Sequence, residues 1–421
     1  MTSDVVVVGA GLAGLSCALR VAQAGLRVEV VATGVGSLHL GGATIDVLGY
    51  APDRVASPAR KLRGFVASRP EHPYARTPPA LVTEALAWLA DAAPEVSFVG
   101  SAQRNLLLPT AIGALKPSAL VPATMAAGDL RSKGRVALAG FRSLKDFYPA
   151  LAAANLNASG LEGLEARAFE IPAAIDGEAD PGPLRLARSL EEPSFRARVA
   201  AQLAAAVEPG ERVGVPAVLG LDRAPEVWLE LQERTGAPLF EIPTLPPSLP
   251  GMRLSKALHA ALRRAGGRVI TGPPAVGAAV SSTEGRRTIS SIATDTGARH
   301  RAHRAAHFVL ATGGVAAGGI QMGSDWTLRE GVLGLPVSGA PGPGEERFDP
   351  DYFASHPLSR AGIAVDDSWR PVDAHGELLY GNLRVVGASL AGAEPWKEKS
   401  GNGISLVTGY AAAGAILLSA G

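Results

Sequence analysis

The apolar residues of this chain predict alternating strands and helices from its beginning. Residues 5–8 are four consecutive valines, the pattern of a strand that is buried on both faces of a parallel sheet. Apolar positions then recur at helical spacing from about Leu12 to Ala24, and Gly25 is a residue type that commonly ends a helix. A further apolar run predicts a strand over 27–32. The first segment is therefore predicted to fold as strand, helix and strand.

Similar patterns return after a long middle region in which proline is frequent. Leu254, Leu258 and Leu262 mark the apolar face of an amphipathic helix, and the proline-rich segment before it predicts an ordered linker. The elements predicted after residue 50 are helices over 80–93, 194–207, 252–266 and 401–418, strands over 212–220, 268–271, 307–314 and 383–387, and a β-meander over 275–305.

Glycines at the first strand–helix turn indicate a nucleotide site. Gly9, Gly11 and Gly14 spell G-x-G-x-x-G, in which the first glycine permits the turn, the second admits a pyrophosphate, and the third lets the helix pack on the strand. The helix N-terminus favours a phosphate through its dipole and free amides. The alternative is a glycine-rich turn that binds nothing. The acid that usually ends the second strand and binds a ribose is replaced by Ala32, so FMN and FAD both stay open as cofactors.

Composition excludes several other classes of protein. The net charge of the 421 residues is +1, which gives no support for nucleic-acid binding. The single cysteine, Cys17, cannot form an internal disulfide, and one thiol cannot hold an iron–sulfur cluster or a structural zinc ion. We expect no metal site, and we expect Cys17 to be a small core residue. With no signal peptide or membrane span predicted, the expected location is cytoplasmic.

The order of the predicted elements indicates a discontinuous nucleotide domain. We predict an α/β fold with a Rossmann-like flavin-binding domain that carries a β-meander, and an inserted α+β domain of the substrate-binding type. The predicted flavin domain consists of residues 1–50, 251–314 and 380–421, and the predicted substrate or cap domain of residues 51–250 and 315–379. This layout resembles the flavoprotein superfamily of fumarate reductase and glycerol-3-phosphate dehydrogenase.

Four segments resemble one family within that superfamily, the B subunits of anaerobic glycerol-3-phosphate dehydrogenase. They are SLHLGGATIDVL at 37–48, EHPY at 71–74, PAVLGL at 216–221 and EIPTLPPSLPGMRL at 241–254. The resemblance implies a flavoprotein subunit, with FMN or FAD, in a complex that oxidises sn-glycerol 3-phosphate to dihydroxyacetone phosphate. It also implies two partners, a catalytic A subunit and an iron–sulfur C subunit that anchors the complex. Electron transfer to a membrane quinone and peripheral attachment through these partners are implied as well.

The resemblance places candidate site residues after the second strand. Gly41 and Gly42 are expected to bring backbone amides to the edge of the flavin, or else to form a plain turn. His39 is a candidate for the residue that takes the hydroxyl proton of the substrate, because its pKa is near neutral, although it could equally bond a backbone group. Arg253 is a candidate for binding a substrate phosphate, the alternative being a surface charge.

Further glycines are expected beside the cofactor at the ends of later strands. Gly313 and Gly314 end one strand and Gly387 another, so that the backbone there is open to close approach. Gly401 and Gly403 begin the last helix, and a helix N-terminus aimed at a reduced flavin would stabilise its negative charge. In each case the alternative is a turn that glycine permits.

Three functions remain open at the level of sequence. The first is flavin-dependent oxidation of sn-glycerol 3-phosphate, with hydride transfer to the flavin and a base that removes the hydroxyl proton. The second is a non-catalytic electron-relay or assembly subunit of the same complex. The third is a related flavin oxidoreductase that acts on another hydroxy acid. Reduction of the flavin by substrate in the isolated chain would distinguish the first from the second.

Overall fold

The computed structural model describes residues 3–283, 285–342, 344–351 and 354–420. The chain divides into two compact units, each made of more than one segment. The first unit contains Met1–Ser37, Asp46–Ala92 and Leu258–Gly421, and the second unit contains Leu38–Ile45 and Ala93–Ala257.

Strands are distributed along the whole described chain. They are β1 Val5–Val8, β2 Val28–Ala32, β3 Phe98–Gly100, β4 Leu106–Pro109, β5 Leu115–Ser118, β6 Leu120–Pro122, β7 Gly134–Phe141, β8 Leu164–Ile171, β9 Arg212–Pro216, β10 Leu239–Ile242, β11 Arg268–Thr271, β12 Ala275–Thr283, β13 Arg286–Asp295, β14 His300–Arg304, β15 His307–Leu310, β16 Ile320–Met322, β17 Leu328–Glu330 and β18 Leu383–Val385.

The helices lie between groups of these strands along the chain. They are α1 Leu12–Gln23, α2 Pro58–Ala67, α3 Pro79–Ala92, α4 Ala123–Ala126, α5 Pro149–Asn157, α6 Pro183–Glu191, α7 Pro193–Ala204, α8 Ala224–Thr235, α9 Leu249–Arg264, α10 Pro395–Glu398 and α11 Gly401–Ala420.

A five-stranded parallel sheet forms the centre of the first unit. Its strand order is β11-β2-β1-β15-β18, with β1 hydrogen-bonded to β2 on one side and to β15 on the other. The four valines of β1 are at most 5% exposed, which suits a β-branched run that is covered on both faces. The carboxyl ends of all five strands lie at one edge of the sheet, where ligands bind in folds of this kind.

The meander β12–β13–β14 is fixed to the sheet by a buried acid. Glu29, in the middle of β2, is 8% exposed, and its Oε2 lies 2.7 Å from Nδ1 of His303 in β14. The other ring nitrogen of His303 lies 2.9 Å from the hydroxyl of Thr294 in β13. Because each polar group has a partner, the acid can be buried within an otherwise apolar strand.

Helix α11 is the longest helix of the described chain and packs on α1. A β-carbon built on Gly409 would collide with the carbonyl oxygen of Ala13, so that the two helix backbones are in close contact. Among the described residues, α11 is also the one helix that is long and apolar enough to cross a membrane, and 56% of its most apolar window is buried within the structure. Its contact with α1 accounts for that composition, and we assign α11 to the core.

The second unit is built on a four-stranded parallel sheet with the order β10-β9-β7-β8. Apolar clusters cover both of its faces. Phe141 and Val213 belong to a cluster with residues of α6, α7 and α8, whereas Leu138 and Phe240 belong to a cluster with α5. The short antiparallel pairs β3–β6 and β4–β5 complete the unit.

The predicted α/β fold class is confirmed by the parallel sheet of the first unit, its three-stranded meander and the helices packed around them. The strands predicted over 268–271 and 307–314 correspond to β11 and β15. The predicted linker is shorter than expected, because α9 begins at Leu249, and the strand predicted over 212–220 ends at Pro216.

The compact units differ from the predicted domain boundaries. Residues 51–92 and 315–379, which the prediction gave to a substrate domain, lie in the first unit. Residues 38–45 and 251–257, which the prediction gave to the flavin domain, lie in the second unit. Residues 315–379 are hydrogen-bonded to the end of the chain: Ile363 N donates to Ser389 O at 2.8 Å, and Gly392 N donates to Arg360 O at 2.9 Å. Residues 51–92 are joined to the same region through His72, whose Nε2 lies 3.2 Å from Oε2 of Glu398. The functional division into flavin and substrate domains stays a prediction.

Candidate functional site

The turn after β1 is in close contact with the end of β15. Gly9 has a φ of 114°, which strongly favours glycine. A β-carbon on Gly9 would collide with the carbonyl oxygen of Ala311, and one on Gly14 would collide with the carbonyl oxygen of Gly9. Backbone packing therefore requires both glycines, whether or not a cofactor is bound.

Gly11 differs from its two neighbours in the motif. It is the N-cap of α1 in an extended conformation, with φ −77° and ψ −179°, which any residue can adopt. Among the described residues, apart from the neighbours of Gly11 in the chain and the backbone of α1, no atom lies within 4 Å of the position of a β-carbon on Gly11. Open space therefore adjoins the amides at the N-terminus of α1, where a phosphate group of a nucleotide can approach the backbone.

The ends of β15 and β18 are joined beside the glycine turn. The hydroxyl of Ser389 accepts from the amide of Gly313 and donates to its carbonyl, at 3.1 Å in both cases. A β-carbon on Gly314 would lie 2.6 Å from the carbonyl oxygen of Ala388, and one on Gly387 would lie 2.8 Å from Cβ of Ala13. The structure thus brings the predicted glycines of three strand ends together at one edge of the sheet.

This edge of the sheet, which we call the glycine-lined edge, contains Gly9, Gly11, Gly313, Gly314 and Gly387. It fits the phosphate-bearing part of a flavin nucleotide. Thr312, which follows Ala311, has a buried hydroxyl with no hydrogen-bond partner among the described residues, as expected of a group that awaits a ligand. The end of β2 differs from the common pattern, since Ala32 is buried, Thr33 is exposed and Glu29 is bonded to His303. The usual carboxylate for a ribose is absent at the end of β2.

The first turn of α11 adjoins the segment that follows residue 45. Gly403 donates its amide to the carbonyl oxygen of Asp46 at 3.1 Å, so that one amide of this turn is bonded within the protein. A β-carbon on Gly403 would lie 2.6 Å from that same oxygen, whereas the nearest atom to one on Gly401 is Cβ of Pro395, at 3.4 Å. The predicted role of Gly401 and Gly403 toward a reduced flavin stays a prediction.

A buried polar cluster lies next to this turn. His72 is fully buried; its Nδ1 accepts from the amide of Tyr74 at 3.1 Å, so that Nε2 carries the proton, and Nε2 lies 3.2 Å from Oε2 of Glu398. Ser400 donates its hydroxyl to the same oxygen at 2.8 Å. The family-like segment 71–74 is thus fixed to the residues that precede α11, a pairing that the sequence did not predict.

Burial shifts the ionisation of this cluster. Burial, the charge of Glu398 and the charge of Asp46 raise the pKa of the Tyr74 hydroxyl well above its usual value, so that it stays protonated. Burial alone would raise the pKa of Glu398, but hydrogen bonds from His72 and Ser400 outweigh it, and the pKa of Glu398 lies below 4.5. The Tyr74 hydroxyl has no hydrogen-bond partner among the described residues.

In the second unit, the structure joins the other family-like segments. The amide of Ser248 donates to the carbonyl oxygen of His39 at 2.8 Å. A β-carbon on Gly42 would lie 2.7 Å from Cγ of Pro243, and one on Gly251 would collide with the carbonyl oxygen of Gly41. Residues 38–42 and 243–251 of the second unit therefore pack against each other, which gives Gly42 and Gly251 a packing role. The proposed cofactor and proton-transfer roles of Gly41, Gly42 and His39 stay predictions.

Arg253 forms an ion pair with a buried glutamate. Its Nη1 donates to Oε2 of Glu241 at 2.6 Å, and Nε donates to the carbonyl oxygen of Gly220 at 2.8 Å. The Glu241 side chain is fully buried, and its other oxygen accepts from the amide of Leu219 at 3.0 Å. The charge of Arg253 is thus balanced within the protein, an arrangement that favours a structural role over the predicted contact with a substrate phosphate.

Residues 4–404 match the sequence family described as FAD binding domain. The chain is 34% identical to the probable B subunit of anaerobic glycerol-3-phosphate dehydrogenase from Halobacterium salinarum, over 97% of this chain and 96% of that protein. It is also 34% identical to the B subunit of anaerobic glycerol-3-phosphate dehydrogenase from Pectobacterium carotovorum subsp. carotovorum, over 99% of both chains.

A solved structure that matches along the whole chain has little sequence in common with it. The 3-ketosteroid Δ1-dehydrogenase from Sterolibacterium denitrificans, in complex with 1,4-androstadiene-3,17-dione, is 12% identical, with a TM-score of 0.45 and coverage of 99% of this chain and 100% of that chain. The family match, by contrast, extends from β1 to the first turn of α11 and so includes both Gly9 and Gly403.

Proposed function

We propose a function for this chain from the premise that it belongs to the FAD binding domain family and to the family of anaerobic glycerol-3-phosphate dehydrogenase B subunits. It is a flavoprotein subunit of an oxidoreductase, and the reaction it serves is the oxidation of sn-glycerol 3-phosphate to dihydroxyacetone phosphate. The electrons are passed on to a quinone.

The observation that carries this proposal is the relation to proteins named as B subunits along 97% of the chain or more. The glycine-lined edge of the first unit supports it, because Gly11 leaves open space at the N-terminus of α1 and Thr312, just after β15, has an unsatisfied hydroxyl. The family match supports FAD as the cofactor, and the missing carboxylate after β2 keeps FMN as the alternative.

We propose roles for the residues of the glycine-lined edge and for His39. Amides at the N-terminus of α1 bind a phosphate group, and the ring system lies beside the strand ends at Gly313, Gly314 and Gly387. Bound flavin would supply a two-electron acceptor at this edge. We propose His39 as the residue that accepts the substrate proton, because histidine is the side chain whose ordinary pKa lies nearest to neutral pH.

The electrons leave this chain through a partner or directly to a quinone. The sequence contains one cysteine, and Cys17 is buried, with a pKa that burial raises to about 12, so that it stays protonated. The relatives are named as B subunits, which implies a multi-subunit complex. We propose that a catalytic A subunit and an iron–sulfur C subunit complete it and attach this cytoplasmic chain peripherally to the membrane.

Reduction of the bound flavin tests the proposal. The purified full chain is mixed anaerobically with sn-glycerol 3-phosphate, and the flavin absorbance is followed with and without the partner proteins. Bleaching in the chain alone places substrate oxidation on this chain. Bleaching only with the partners would make it an electron-relay component, and bleaching in neither sample would contradict the proposed function.

A further inference from the structure

A cavity in the first unit has no role in the function described so far. Its volume is about 380 Å³, which lies in the range of small-molecule sites. Its wall includes the family-like segment 71–74 at one side and residues 390–392, which follow Gly387, at another. The cavity therefore borders the strand end at which we place the cofactor.

One arginine of the wall has no carboxylate partner. Arg76 ends the turn that begins at Pro73, directly after the buried pair of His72 and Glu398. Its Nε is buried and has no hydrogen-bond partner, and its one protein hydrogen bond, from Nη1 to the carbonyl oxygen of Pro70, is long, at 3.4 Å. These absences concern the described residues. A buried, unsatisfied guanidinium nitrogen indicates a ligand that accepts hydrogen bonds.

A second arginine of the cavity wall, Arg360, is held in place by Glu394 and Ser355. Nη2 of Arg360 donates to Oε2 of Glu394 at 2.9 Å and to the hydroxyl of Ser355 at 3.0 Å. Ser355 donates in turn to the other oxygen of Glu394 at 2.7 Å. Within the described chain, Nε and Nη1 of Arg360 make no hydrogen bonds, which leaves donors for a ligand. Arg360 is 43% exposed on its side chain, so a small molecule can reach it from solvent.

The remainder of the wall suits a short carbon chain with hydroxyl groups. Ile363, Val365 and Leu390 supply apolar surface, and the carboxylate of Glu71 can accept hydrogen bonds from hydroxyls. The same carboxylate disfavours a second acidic group on the ligand, because like charges repel.

We propose that this cavity binds a phosphomonoester of a small polyol, with the phosphate held by Arg76 and Arg360. Arginine matches this ligand, since its planar guanidinium can bond two phosphate oxygens at once. The proposal rests on the proposed function and deepens it, because it names where the substrate phosphate binds. It replaces Arg253, whose Nε, Nη1 and Nη2 all donate to Glu241 or to the carbonyl oxygen of Gly220. Arg360 also pairs with a carboxylate, that of Glu394, but only through Nη2.

Calorimetric titration of the purified full chain tests this assignment. The ligands are sn-glycerol 3-phosphate, inorganic phosphate, glycerol and succinate, and the variants are Arg76→Gln, Arg76→Lys, Arg360→Gln and Arg69→Gln. Arg69 is the matched control: it belongs to the same stretch of chain but stacks on Phe65 and bonds Ser68, outside the cavity wall.

We expect sn-glycerol 3-phosphate to bind more tightly than inorganic phosphate, and glycerol and succinate not to bind. Each glutamine variant at Arg76 or Arg360 should weaken binding of both phosphates roughly 10- to 100-fold, because a hydrogen bond to a charged group is lost. Arg76→Lys should recover part of the affinity, whereas Arg69→Gln should leave it unchanged. Thermal unfolding of every variant identifies any loss of the fold.

Unchanged affinity in both glutamine variants, or no binding of sn-glycerol 3-phosphate to the wild-type chain, would overturn the proposal. Flavin content and flavin reduction, measured on the same samples, separate this outcome from failure of the proposed function. Arginine-dependent binding by a chain that takes up no flavin would support the cavity and contradict the function. Normal reduction with unaltered affinity in both variants would support the function and contradict the cavity.

Discussion

The three glycines of the first turn differ in what a methyl group would meet. At Gly9 and Gly14 it would collide with backbone atoms, so substitution there disturbs the fold itself. At Gly11 it would enter open space beside the N-terminus of α1. Gly11 is therefore the position at which loss of a ligand can be separated from loss of the fold.

Gly11→Ala should keep the fold and lose the flavin. The backbone of Gly11 is acceptable to alanine, and loss of glycine at an N-cap costs only about 1 kcal/mol or less. The methyl group would occupy the space into which a phosphate must come, and we expect the Kd for flavin to rise at least roughly tenfold, or about 1.4 kcal/mol.

Flavin titration together with thermal unfolding checks this expectation. Gly64→Ala is the control, since Gly64 lies in α2 and a β-carbon there meets no atom within 4 Å either. Wild-type flavin affinity in Gly11→Ala would contradict the placement of the phosphate.

Glu398 should stabilise the fold only at pH values at which its carboxyl group is ionised. Its pKa is lowered from 4.5 in the folded chain because the bonds from His72 and Ser400 outweigh the effect of burial. The stabilisation is thus fully present above the pKa of the unfolded chain and is lost as the pH falls through the lower, folded pKa. Glu398→Gln should cost about 1–3 kcal/mol near neutral pH, since it replaces the charged acceptor of the hydrogen bonds from His72 and Ser400.

The pH dependence of the free energy of unfolding measures this contribution. The difference between wild type and Glu398→Gln should be constant above a pH of about 5.5 and should shrink below the unfolded pKa of 4.5. Glu162→Gln, at an exposed position, should show no such difference. A difference that is constant down to a pH of about 3 would show that the carboxylate is not stabilised in its ionised form.

The contact between α1 and α11 links the first helix of the chain to the last. It depends on small residues, because Gly409 lies against the backbone of Ala13. This contact also brings the first half of α11 near Gly387, since a β-carbon on Gly387 would lie 2.8 Å from Ala13 and 3.7 Å from the hydroxyl of Ser405. The apolar composition of α11 is therefore a property of the core that supports the glycine-lined edge.

Substitution by alanine should change the free energy of unfolding differently at two glycines of α11. Gly409→Ala forces the two helix backbones apart, and we expect a loss of about 1–3 kcal/mol in the free energy of unfolding. Gly414→Ala meets only the tip of Arg20, at 3.0 Å, and removes a flexible residue from a helix, so it should be neutral or stabilising by up to about 1 kcal/mol. Guanidinium denaturation measures both. Equal stability of the two variants would contradict the close contact.

Across the whole molecule, the sequence predicted local elements but not the contacts between distant segments. Local periodicity predicted β1, α1, β11 and the meander, since each depends on neighbouring residues. The pairing of His72 with Glu398 joins residues 326 positions apart, and no local pattern encodes it. The parallel sheet of the second unit was likewise missed, because short buried strands do not reveal their partners or direction.

The candidate site was predictable where the backbone imposes a residue type, as at Gly9 and Gly14. It was not predictable where a side chain has several possible partners. Arg253 matched the need for a fixed cation, but its pairing with Glu241 depends on how α9 packs near β10. Arg76 had no signal beyond its position shortly after a family-like segment.

Identification of the bound flavin tests the central claim most directly. The visible spectrum of the purified full chain is recorded, the cofactor is released with acid, and chromatography names it. We expect about one flavin per chain. FAD would mean that the adenosine half is bound without an acid at the end of β2, and FMN would agree with the absence of that acid. A chain that is colourless and takes up neither flavin would contradict the account.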